Sequence, residues 1–96
     1  MEYQINYEEI ERVVHMMPKS FDSHEFIRKY IWECPESYGG LLIKHGNVST
    51  VHGEIAIFLR SHLGTNGLPI KEDGEKPSED IFKNIRSCVC WTRTDI

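Results

Sequence analysis

The chain has 96 residues, with 15 Asp and Glu against 11 Lys and Arg, so its formal charge is −4 with the five histidines neutral. That length suits one domain, 1–96, and excludes a second, while an apolar share of 40% lies far from the depleted composition of chains that stay unfolded. No apolar run approaches the roughly 20 residues that cross a bilayer, so no membrane insertion is expected.

The acidic start lacks the basic and apolar regions of a secretory signal. The three cysteines, Cys34, Cys88 and Cys90, cannot all pair internally, which suits a reducing compartment. A cytoplasmic chain without a disulfide scaffold is therefore expected.

Asn6 followed three positions later by Glu9 is a capping arrangement in which each side chain can satisfy the other's backbone N–H. The helical spacing of Ile10, Val13, Val14 and Met17 predicts a first helix over 7–17, closed by Pro18. Asp22 and Glu25 repeat the cap before Phe26, Ile27, Tyr30, Ile31 and Cys34, a second apolar face ending near Glu33. Pro35 fits the first position of a third helix, Glu36 complements its positive end, and Gly46 supplies a left-handed stop. Gly39 and Gly40 oppose that helix, each costing up to about 1 kcal/mol against alanine.

Asn47 or Ser49 can cap a fourth helix, in which Val51, Ile55, Phe58, Leu59 and Leu63 recur at helical intervals up to Gly64. Gly64, Gly67, Pro69, Gly74 and Pro77 then predict turns or a hairpin tip, with a short edge strand over 68–72 and one capped helical turn over 78–82. Residues 86–94 alternate and are rich in β formers, which predicts a strand that pairs with the segment around Ile70. The fold expected is α+β: a small helix-rich single domain with a C-terminal β hairpin. Its core is assigned to Ile10, Val14, Phe26, Ile27, Tyr30, Ile31, Leu41, Leu42, Val51, Ile55, Phe58, Leu59, Leu63, Ile81, Phe82, Val89 and Trp91.

A helix, a tight glycine turn, an amphipathic helix and then a hairpin is the order of a helix-turn-helix with a β wing. In order of elements alone, residues 36–94 resemble winged-helix domains. In that plan the second helix enters the major groove of duplex DNA, with Ser49, Thr50, His52 and Gly53 facing base edges and Lys44, Arg60, Lys83, Arg86 and Arg93 contacting phosphate. Against it, the helix carries one arginine, no lysine and an acidic Glu54, and phosphate contacts supply most sequence-independent affinity. The same helix pair can serve as plain core.

Charge by segment refines the total: 1–40 carry −4, 41–63 carry +1, 64–82 carry −3, 83–94 carry +3, and Asp95 adds −1. A small basic face on an acidic body is thus compatible with the composition, whereas polyanion binding over the whole surface is excluded.

His45 and His52 lie seven apart and Cys88 and Cys90 two apart, without the paired spacing of small zinc domains, so no metal or other cofactor is expected. No phosphate loop or nucleophile elbow occurs, Cys34 belongs to an apolar face, and no catalytic residue is assigned. The alternative to DNA is an interaction or accessory module that binds a protein partner or forms a homo-oligomer through Trp32, Ile57 and Trp91. Trp32 is otherwise expected to close the helical core from a second side.

Overall fold

A computed structural model describes residues 4–63 and 67–96. Asn6 caps α1, Tyr7–Met16, by accepting the Glu9 N–H at 3.1 Å. The reciprocal half of that cap does not form as expected, because the Glu9 carboxylate instead accepts the Ser37 hydroxyl at 2.8 and 2.9 Å. At α2, Ser23–Glu33, both halves are present: Asp22 accepts the Glu25 N–H and Glu25 accepts the Asp22 N–H. Cys34 ends this helix and α3, Pro35–His45, starts on the proline, whose missing N–H costs nothing at a first turn. Gly40 is buried within α3 and does not interrupt it. Gly46 closes α3 at φ 81°, a conformation that residues with a Cβ adopt reluctantly.

Of the two candidate caps for the fourth helix, Asn47 is used: it accepts the Thr50 N–H at 2.8 Å and starts α4, Val48–Ser61. Val51, Ile55 and Leu59, four apart, are its buried stripe. The expected stop at Gly64 falls outside the described residues.

Three strands complete the domain. A short β1, Ser20–Asp22, lies between α1 and α2 and escapes a reading by periodicity because it is only three residues long. The hairpin of β2, Ile70–Glu79, and β3, Ile85–Arg93, makes β3 the central strand of an antiparallel sheet ordered β1-β3-β2. Trp91 stands opposite Phe21 on one side and Glu72 on the other.

The edge strand expected over 68–72 forms from Ile70, but the turns expected at Gly74 and Pro77 and the helical turn over 78–82 are corrected. Residues 70–79 are strand, and Gly74, at φ 84°, sits in an irregularity between Glu72 and Glu75 instead of ending the element. Pro77 is accommodated because β2 is an edge strand. Residues 80–84 form the hairpin turn, where Asp80 accepts the Phe82 and Asn84 N–H groups at 2.8 and 2.9 Å. Phe82, assigned to the core, is 60% exposed on that turn.

The core joins α1, α2, α3 and α4 to Phe21, Leu68, Ile70 and Trp91. Ile31, Leu42, Phe58, Leu63 and Val89, placed there from their spacing, are only partly buried around it. Trp91 is 1% exposed, so it cannot belong to a partner surface with Trp32 and Ile57. The assignment of Trp91 to the core holds, whereas Trp32 stands 79% exposed on α2 rather than closing the core. Among the described residues no helix is long and apolar enough to cross a membrane.

Candidate functional site

The hairpin turn returns the chain toward the start of α4, and a groove of about 430 Å³ lies between them. Ser49, His52 and Gly53 line one wall, and Phe82 and Arg86 line the other. The stripe Val51, Ile55 and Leu59 anchors α4 in the core, which turns Ser49, Thr50, Gly53 and Glu54 to solvent. Gly53 has open space where a Cβ would stand.

His52 is half-buried, with Nε2 2.7 Å from the Tyr38 hydroxyl oxygen. Burial, with His24 adding, pushes its pKa below the ordinary imidazole value against the opposing pull of Asp80. A neutral ring accepts the Tyr38 hydroxyl at Nε2 when its proton is on Nδ1, and donates to the hydroxyl oxygen in the other tautomer. That nitrogen is thus engaged inside the protein, although His52 itself lines the groove.

The basic residues grouped by their order in the chain separate in space. Arg86 is 69% exposed in the groove, its Nε 3.5 Å from Asp80 Oδ2. Lys83 is exposed on the adjoining turn at φ 65°, its N–H bonded to the Asp80 carbonyl. The Asp80 carboxyl is held below its usual pKa by the Asn84 N–H first, then by the Phe82 N–H and Arg86, against desolvation. Arg60 is exposed but pairs with Glu72 at 2.9 Å beyond the groove wall. Lys44 lines a different concavity, with Leu41, Glu54 and Phe58.

Arg93 is the clearest correction among the phosphate contacts. Its side chain is 11% exposed, forks onto both Asp95 oxygens at 2.9 and 2.7 Å, and donates to the His15 and Met17 carbonyls at 3.1 and 2.8 Å. It lies seven positions along the strand from Arg86, a span of roughly 24 Å at about 3.4 Å per residue. Arg93 therefore ties the end of β3 to the end of α1 and offers nothing to a ligand in the groove.

Of the residues assigned to nucleic acid, the groove thus unites Ser49, His52, Gly53 and Arg86, with Thr50 and Lys83 exposed nearby. His24, Phe82, Asn84 and Cys88 also line it and were not foreseen as ligand contacts. Nothing in their spacing marks them, since they converge only when β3 pairs in the sheet and passes the start of α2. Cys34 is buried, and burial followed by Glu9 raises its thiol pKa against the pull of Arg12, which opposes nucleophilic character. The chain matches no known protein family, no curated protein and no solved structure.

Proposed function

We propose that this protein is a non-catalytic cytoplasmic domain of winged-helix plan that binds duplex DNA, with α3 and α4 as its helix-turn-helix and β2–β3 as its wing. The observation that carries this reading is the groove between the exposed start of α4 and the hairpin turn bearing Lys83 and Arg86. An inserted α4 presents Ser49, Thr50 and Gly53 to base edges while Lys83 and Arg86 approach phosphates. The acidic remainder of the chain restricts contact to this face, so affinity is modest and regulatory sequence specificity rests on few side chains.

The test is a titration of duplex DNA at two salt concentrations. With two or three phosphate contacts, log K falls against log salt with a slope of about −2 to −3. Arg86→Glu weakens binding, and absence of binding at low salt overturns the reading.

A second reading, a protein-interaction or homo-oligomer surface, is favoured by the exposure of Trp32 in a shallow depression with Met16 and Pro18, which Glu25, Arg28 and Lys29 also line, and by the exposure of Ile57 on α4. It requires concentration-dependent association, or capture of a partner, that Trp32→Ala abolishes and salt leaves unchanged.

A further inference from the structure

We propose that Asp22, His24 and Cys88 bind one thiophilic divalent cation, zinc by the chemistry of the set, at the floor of the groove where β3 meets the start of α2. One ligand atom from each residue lies within 4.8 Å of the other two. Zinc bonds of about 2.0 to 2.3 Å in a tetrahedron separate ligand atoms by roughly 3.5 Å, so side-chain movements on the order of 1 Å close the set. Thiolate, imidazole and carboxylate together suit zinc better than the oxygen-seeking magnesium or calcium.

The local structure prepares each ligand. Asp22 ends β1 and caps α2, and its carboxylate is oriented by the Glu25 N–H at 2.8 Å and the Ser78 hydroxyl at 2.7 Å. These are the outer hydrogen bonds that hold a metal carboxylate in place. His24 keeps Nδ1 buried without a hydrogen-bond partner among the described residues, although a buried ring nitrogen ordinarily finds one. The Cys88 sulfur receives the His24 backbone N–H at 3.4 Å; burial first, with Asp22 adding, raises the thiol pKa against that bond, so an incoming cation must displace the thiol proton. Ser23 secures the junction by donating to the Val89 carbonyl at 3.3 Å.

His24 and Cys88 line the groove, which gives an ion a path and leaves a fourth position for water. Lys76, 3.9 Å from the Asp22 carboxylate, is an exposed side chain that can swing away from the incoming cation. A nucleophilic Cys–His–Asp relay is the competing use of these residue types. It needs a carboxylate hydrogen-bonded to the imidazole, yet Nδ1 of His24 has no hydrogen-bond partner among the described residues.

Tag-free full-length protein titrated with Zn²⁺ in competition with a chromophoric chelator, in the absence of DNA, tests this site independently of the DNA reading. The expected result is one equivalent bound with a raised Tm, and with Co²⁺ a thiolate charge-transfer band. Cys88→Ser removes the band, and His24→Gln or Asp22→Asn, which retains a capping side chain, weakens binding about tenfold or more. Cys90→Ser leaves both signals unchanged. Failure to saturate at one equivalent, a band that disappears with Cys90→Ser instead, or affinity that survives both Cys88→Ser and His24→Gln overturns the proposal.

Discussion

The indole N–H of Trp91 donates to the Ser23 hydroxyl oxygen at 2.9 Å, and that hydroxyl donates in turn to the Val89 carbonyl at 3.3 Å. This relay joins the central strand to the first residue of α2, 68 positions earlier. It also sets the junction at which His24 and Cys88 meet.

Ser23→Ala should destabilise the domain by about 1–3 kcal/mol, because it leaves the buried indole N–H without a partner. Urea denaturation followed by tryptophan fluorescence measures the loss. Combined with Trp91→Phe, the two effects should sum to more than the double variant loses, since each alteration removes the same bond. Strict additivity would show that the relay contributes nothing.

Arg93→Gln should lower Tm while leaving DNA affinity unchanged, since the guanidinium serves the α1–β3 junction and is largely buried. Arg86→Glu should do the reverse, weakening DNA binding with little change in Tm, because its side chain is exposed. Thermal melts and DNA titrations on the same two variants separate a structural cation from a phosphate contact.

Gly53→Ala should stabilise the protein by roughly 0.5–1 kcal/mol, as a helix-interior glycine with open space around the new methyl group. If DNA packs closely against the start of α4, the same methyl lowers affinity. A more stable variant with undiminished DNA binding would remove Gly53 from the interface.

His52 makes stability fall as the solution is acidified. Burial depresses its folded-state pKa below the ordinary value near 6.5, so above that value both states are neutral and the ring contributes nothing to the pH dependence. As pH drops through about 6.5 the unfolded chain takes up the proton first, and stability declines until the folded pKa is passed. Unfolding curves between pH 7.5 and about 5 should therefore show a steeper loss for the wild type than for His52→Gln, which retains an acceptor for Tyr38.

Local chemistry was enough to locate the helices. Side chains a few residues apart make the caps at Asn6, Asp22 and Asn47, and Pro35 and Gly46 act through their own backbone angles. The apolar stripes of α1, α2 and α4 are likewise set by helical spacing, and the small α+β class follows from them. The hairpin was legible in its second strand and at the start of its first, where the segment around Ile70 pairs with β3 as expected. Gly74 and Pro77 read as breakers, but an edge strand tolerates both when its partner supplies the ladder.

One wall of the groove was visible in the chain, in Ser49 and Gly53 on the exposed side of α4. Tertiary packing decided the rest. Arg86 and Arg93 belong to one basic segment, yet one meets solvent and the other the carbonyls of His15 and Met17, because the two ends of β3 face different neighbours. Trp91 is buried as its core assignment requires, whereas Trp32, expected to close the core, stands exposed, since the central strand buries what an outer helix face leaves to solvent. The meeting of Asp22, His24 and Cys88 across more than 60 residues has no local cause at all: it exists because β3 closes against β1 and the start of α2.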